Sequence, residues 1–282
     1  MPVVLALLSS LLWGTADFVG GTLSRRLEPL RVVLSSQAVA LVALVPLAGW
    51  LRPDLEARVL LAGVAAGAIG PLALGAFYRA LGIGTMGVVA PIAGLGVVVP
   101  VAAGILAGER PTAAQLAGIA VAVLGVVLAS GPEMRGEGRG GTRALLLAAG
   151  AAVGFGLVFV LLAEGSEGGG AAEVIVVLTV MRATSVLGLG GALVARAGTG
   201  AVRVPRPDLP ALAVVGAFDV GANGAFALAS QSDLVSVTAV LASLYPAVTA
   251  VLAWRIDGER LQRVQLSGVV LALAGVVLLS AG

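Results

Sequence analysis

Residues 108–130 read GERPTAAQLAGIAVAVLGVVLAS, and residues 258–280 read GERLQRVQLSGVVLALAGVVLLS. At a constant offset of 150, 12 of the 23 positions are identical. Matches between Leu or Val count for little, since apolar helices resemble one another by composition alone. The shared Gly-Glu-Arg turn, the shared Gln-Leu and the aligned pairs Gly118/Gly268 and Gly125/Gly275 carry the argument. A second echo is Gly75-Ala76-Phe77 against Gly224-Ala225-Phe226. Between the copies, Gly131–Gly141 reads GPEMRGEGRGG, a Gly-rich, charged stretch that divides the chain nearly in half. It reads as a linker joining a first repeat, 1–135, to a second, 136–282.

Each repeat is too apolar for water. Of 282 residues, 59% are hydrophobic and 11% charged. A soluble domain carries about 25% charged residues, and one this apolar would expose large sticky patches. A spanning helix needs about 20 mainly apolar residues. Ten segments qualify: 3–22, 32–51, 58–78, 85–107, 112–130, 144–163, 173–195, 209–229, 234–254 and 264–281. The breaks carry charged or turn residues, as in Arg25-Arg26-Leu27-Glu28-Pro29 and Pro205-Arg206-Pro207-Asp208. The break after Arg79 is the softest. The amino terminus lacks the basic region of a cleaved signal peptide and reads as a retained first helix. The expected fold is an all-α integral membrane protein of about ten transmembrane helices. Five helices is an odd number, so two such repeats in tandem must insert oppositely. This is the inverted-repeat plan of many secondary transporters.

Composition also excludes. There is no Cys and no His, so the chain offers no disulfide framework, no His-bearing catalytic triad and no metal or cofactor site of the usual kind. No P-loop or dinucleotide fingerprint follows a strand. A net charge of +2 without a basic stripe gives nucleic acid no footing. Enzyme chemistry is not expected.

An ionisable group within a bilayer costs about 2.5–3.5 kcal/mol at mid-helix on insertion scales, so each needs a reason. Asp17, Arg182 and Asp219 lie within predicted spans, and Arg79 lies at a span's end, where snorkelling explains it. Asp17 shares a helical face with Ser9 or Ser10, Trp13, Gly20 or Gly21 and Ser24, a polar stripe that should face the bundle interior. Asp219 and Asn223 are one turn apart, with Phe226 following. Gln37 and Arg182 occupy corresponding places in the two halves, and Tyr245 aligns with Thr238 and Thr249. Arg182 and Asp219 read either as a buried pair tying two helices or as cavity residues holding a substrate charge or a proton. Asp17 has no obvious cation and is the first candidate for proton coupling. Trp13 and Tyr245 sit at mid-span and read as cavity walls, whereas Trp50 and Trp254 end their spans and read as interfacial anchors. Pro91, Pro100 and Pro246 read as kinks, for static bending or for gating. Gly63/Gly67 and Gly150/Gly154 are small-residue pairs that let helices approach closely in lipid.

Trp13-Gly14, Tyr78-Arg79-Ala80-Leu81, Val89-Ala90-Pro91, the two Gly-Glu-Arg turns and Leu244-Tyr245-Pro246 together resemble the EamA-type branch of the drug/metabolite transporter superfamily. The resemblance covers nearly the whole chain. It implies ten helices in two inverted halves around a central cavity, and export or uptake of small metabolites. The candidate set for substrate binding or coupling is then Trp13, Asp17, Gln37, Tyr78, Arg182, Asp219, Asn223 and Tyr245. The expected partners are a small-molecule substrate, the lipid bilayer and protons, with the chain a monomer or homodimer in the cell membrane. The leading reading is a secondary transporter working by alternating access. Its rivals are a flippase for lipid-linked substrates and a membrane scaffold that transports nothing.

Charge and resemblance disagree on orientation. The connections after helices 1, 3, 5, 7 and 9 hold 13 Arg, and those after the even-numbered helices hold 3. Short cytoplasmic loops are rich in Arg and Lys, so the count puts both termini outside. The resemblance implies that they are cytoplasmic. The size of the skew favours the charge count.

Overall fold

The computed structural model describes residues 2–51, 56–99, 102, 112–134, 140–166, 170–230 and 244–281. The readings of Pro100, Thr238, the first Gly-Glu-Arg turn and the start of the ninth predicted span fall outside these residues. Among the described residues there are ten α-helices and no strand. They are α1 (Pro2–Leu23), α2 (Pro29–Leu51), α3 (Ala57–Ile83), α4 (Met86–Gly94) and α5 (Ala113–Met134), then α6 (Gly141–Ser166), α7 (Ala171–Ala197), α8 (Leu209–Ser230), α9 (Tyr245–Ile256) and α10 (Arg263–Ala281). Each overlaps one predicted span. Six helical stretches among the described residues are long and apolar enough to cross a membrane. A helix satisfies its backbone groups internally, which is why lipid accepts it. Apolar side chains such as Val42, Leu61, Leu146 and Leu187 coat the outside of the bundle.

α4 gives way to a 3-10 turn at Leu95–Val97 inside its predicted span, and two helices run past their predicted ends. α3 runs on to Ile83, past Arg79, because one arginine near a helix end can lay its stem along apolar neighbours. α5 continues to Met134, four residues into the Gly-rich stretch read as linker. Extending an existing helix adds a hydrogen bond per residue, so composition alone does not mark where it stops.

Among the described residues, the most extensive helix pairs are exchanged with one another when each helix is replaced by the one five places along. α3 packs on α6, and α8 on α1; α3 packs on α7, and α8 on α2; α4 packs on α6, and α9 on α1. The remaining major pairs, α2–α7, α4–α9 and α5–α10, are each their own mates. The α5–α10 pair is the most extensive, and its closest approach is reciprocal. A Cβ on Gly125 would sit 2.7 Å from the Cα of Ala272, and a Cβ on Gly275 would sit 2.5 Å from the Cα of Ala122. The contacts Gly125–Ala272 and Gly275–Ala122 interchange under the sequence offset of 150, as residues across a local two-fold must. Elsewhere Gly63 and Gly67 both back onto α7, at Val180 and Thr184. Gly154 backs onto Ala73, but among the described residues nothing lies within 4 Å of the Cβ position of Gly150.

The connections after odd-numbered helices are knitted together at one end of the bundle. Arg25, after α1, pairs with Asp257 (2.6 Å) and Glu259 (3.3 Å), after α9. Arg26 pairs with the buried Asp208, just before α8, at 2.5 Å. The Glu259 carboxylate also accepts from the backbone N–H groups of Met86 (3.2 Å) and Gly87 (3.3 Å). These are the first two residues of α4, whose N–H groups have no partner within the helix. The second Gly-Glu-Arg turn thus caps a helix of the opposite half, which explains its glutamate. Gly140, at φ 80°, lies against the carbonyl of Ile83 and so joins the connections after α5 and α3. A side chain at that φ would be strained. At the other end Arg58, at the start of α3, reaches Glu173 of α7 (3.7 Å) and donates to the carbonyl of Glu164.

Candidate substrate cavity

The polar stripe of α1 is buried as expected: Ser9, Ser10, Asp17 and Ser24 all lie inside the bundle. Ser9 donates to the carbonyl of Ala222 at 2.9 Å, fixing α1 against α8. Thr249 donates to the carbonyl of Gly14 at 3.1 Å, fixing α1 against α9. Gly14 permits this approach, since a Cβ there would lie 2.6 Å from the Tyr245 carbonyl oxygen. These two contacts aim Trp13 and Asp17 inward.

Between the halves lies a cavity. Of the eight residues expected at the site, Trp13, Asp17, Gln37, Arg182, Asp219, Asn223 and Tyr245 line it. Tyr78 is not among its lining residues. Its ring packs over Gly20 of α1, whose Cβ position lies within 2.7 Å of a ring carbon, and it is wholly buried there. It braces the helix that carries Asp17 and does not face the solute space. The site also holds residues that sequence reasoning missed, chiefly Phe155 and Phe159 of α6 and Met181 of α7. A signal was available. The chain has only six Phe, and two of them lie at i, i+4 in the sixth helix, the repeat counterpart of the first.

Arg182 is the hub of the polar side. It is 3% exposed. One terminal amino group donates to Gln37 Oε1 at 2.7 Å and the other to Asp219 Oδ2 at 2.7 Å. Its Nε is buried and has no partner among the described residues. Asn223 Nδ2 donates to the Asp219 carbonyl (2.7 Å) and to Oδ1 (3.3 Å), so both carboxylate oxygens are engaged. Gln37, Arg182 and Asp219 sit on α2, α7 and α8 and join three helices. A buried charge needs such partners, because desolvation costs several kcal/mol per ion. The two readings of this pair meet here: it ties helices together and it faces the cavity.

Asp17 differs. It is 7% exposed, it lines the cavity, and no hydrogen bond or ion pair among the described residues ends on it. Trp13, one turn earlier, is the centre of an aromatic cluster. Its ring lies 6.1 Å from Phe159, 5.7 Å from Phe226 and 6.1 Å from Tyr245, centroid to centroid. Phe159 and Asn223 also border a second, smaller space, which Leu162, Ser166 and Val174 continue toward the end of α6 and the start of α7.

Pro91 is buried inside α4, while Pro246 stands in the first turn of α9 as described, where proline costs no helical hydrogen bond. The residues before Leu244, on which a kink at Pro246 would show, lie outside the described ones. Pro46 and Pro71 lie inside α2 and α3. Trp50 and Trp254 are exposed near the ends of α2 and α9.

An apolar-coated helical bundle with a polar, aromatic-walled cavity between two similarly packed halves defines a class, the multi-pass membrane transporters. The chain belongs to the EamA-like transporter family, whose model matches residues 1–131 and 142–281. It is thus a transporter of the drug/metabolite transporter superfamily. Eighteen chains of solved structures match the fold. One, titled only as the crystal structure of a protein, is 17% identical, with a TM-score of 0.63 over 98% of this chain and 95% of that one. No curated protein matches the sequence.

Proposed function

We propose that the chain is a secondary transporter of a small amphipathic metabolite or drug-like solute, with ten spans in two inverted repeats and alternating access to the central cavity. The observation that carries this is the cavity itself. Its polar residues, Asp17, Gln37, Arg182, Asp219 and Asn223, come from α1, α2, α7 and α8 of both halves and meet at one space. A scaffold has no need of such a convergence in lipid, where each polar group is costly. A flippase for phosphate-bearing lipids would want unengaged cations, and both terminal amino groups of Arg182 are already donating. The clasp of Arg25 with Asp257 and Glu259 closes one end, and the second space continues toward the other.

Coupling is assigned to the two cavity carboxylates, with Asp17, the one without a partner, as the proton carrier. Purified protein in sealed vesicles, assayed with and without a pH gradient across a metabolite panel, tests the reading. Gradient-driven accumulation of at least one solute is expected. In Asp17→Asn the response to the gradient should disappear, and unchanged proton-driven accumulation would remove Asp17 from coupling.

For orientation, the excess of 13 Arg over 3 supports a cytoplasmic ion-paired end and external termini, against the resemblance. A fluorescent reporter that matures only in the cytoplasm, fused after Gly282, should leave cells dark. Bright cells would reverse the assignment.

A further inference from the structure

Glu259 fastens three helices at one end of the bundle, and they come from both halves. Arg25 follows α1, Asp257 and Glu259 follow α9, and Met86 and Gly87 begin α4. Glu259 lies 3.3 Å from Arg25 and accepts from the N–H groups of Met86 and Gly87 at 3.2 and 3.3 Å. Leu261, two residues on, covers Gly87: a Cβ there would stand 3.2 Å from its methyl carbons. The same three helices reach the cavity. Trp13 and Asp17 of α1 and Tyr245 of α9 line it. Thr249 ties α9 to α1 at Gly14, and Gly94, at the other end of α4, lies against Pro246 and Tyr245. A movement of α4 against α9 at the ion-paired end would therefore be felt at a cavity wall.

Arg25, Asp257 and Glu259 together carry one positive charge and two negative ones. Arg25 pairs with Asp257 at 2.6 Å, and the surplus falls on Glu259, whose side chain is only 7% exposed. The partial positive charge at the start of α4 receives it. The carboxylate is thus satisfied in its buried place only while α4 stands against it. Were α4 and α9 to part there, water would take over the carboxylate and both N–H groups. Exchanging protein partners for water changes the net free energy little beside the strength of each bond. Such a contact can bias two arrangements and still be released.

We propose that Glu259 is the positioning residue of a latch. It holds the start of α4 to the end of α9, is closed here, and is released when the cavity opens toward the ion-paired end. This rests on the transporter reading and assigns the closure of one of its two access states.

The test uses the full chain in sealed membranes and a small impermeant thiol reagent, 2-sulfonatoethyl methanethiosulfonate. The chain has no Cys, so a single Val158→Cys in the cavity wall is the reporter. Intact cells and inverted vesicles turn opposite ends outward, and the exposed marker Arg260→Cys identifies the preparation that presents the ion-paired end. Glu259→Gln removes the charge and keeps the shape. It should speed labelling of the reporter from the ion-paired end at least fivefold and slow it from the opposite end. Arg25→Gln should act in the same direction. A residue that merely stabilised the bundle would, when changed, speed labelling from both ends and lower the unfolding temperature. That outcome, unchanged labelling from both ends, or slower labelling from the ion-paired end overturns the latch. If Glu259→Gln is not recovered folded, Arg25→Gln read in the same way decides. A one-sided shift in Glu259→Gln, without uptake of any solute of a metabolite panel by sealed vesicles, would sink the transporter reading and leave the latch standing. Solute uptake with labelling that Glu259→Gln does not shift would do the reverse.

Discussion

Asp219→Asn is expected to abolish transport while the protein remains inserted and folded. The carboxylate faces Arg182 at 2.7 Å and holds Asn223 at 3.3 Å, at the border of the solute cavity. Removing one partner of a buried ion pair costs about 3–5 kcal/mol when the other is left uncompensated. The amide of Asn still accepts from Arg182, and Gln37 keeps its own bond to the guanidinium, so the loss of stability should fall below that range. The double variant Arg182→Gln/Asp219→Asn separates structure from function. Without a buried charge it should regain thermal stability close to the parent, because a satisfied neutral network has little desolvation to offset. It should still not transport. Vesicle uptake and thermal unfolding, measured on the same preparations, decide the matter. A double variant that transports at the parent rate would reduce the pair to a helix tie.

Gly125→Leu and Gly275→Leu should each prevent recovery of monodisperse protein, and to the same degree. The obstacle at Gly125 is backbone: the Cα of Ala272 and the carbonyl oxygen of Gly268 each stand 2.7 Å from the position a Cβ would take. A side chain can rotate away, but a helix backbone cannot, so α5 and α10 must part. Overpacking costs about 1–3 kcal/mol even where side chains can yield. Here the cost also includes the most extensive helix pair in the bundle. Gly150→Leu is the control, because nothing lies within 4 Å of its Cβ position. Size-exclusion profiles of the three variants read the result. Tolerance of leucine at one of Gly125 and Gly275 but not the other would contradict the reciprocal contact.

The sequence by itself determined the solvent, the helical segments, the duplication and most of the site. Each depends on something local. Lipid residence follows from composition, the segments from runs of about 20 apolar residues, the duplication from the offset of 150 between the two Gly-Glu-Arg turns. The cavity residues were legible because a polar group at mid-span needs a reason to be there. That logic found Asp17, Gln37, Arg182, Asp219 and Asn223. It was silent on Phe155 and Phe159, since an aromatic ring is as comfortable in lipid as in a cavity wall; Tyr78, taken from the resemblance, packs over Gly20 instead of lining the cavity. Only the tertiary structure decided which helices meet. It joined Arg182 to both Gln37 and Asp219, left Asp17 without a partner, set Glu259 on the start of α4 and crossed α5 with α10 at paired glycines. The helices are apolar nearly all round, so no hydrophobic stripe marks the face that turns inward. In lipid, the choice of neighbour rests on close packing and on interhelical hydrogen bonds between residues far apart in the chain.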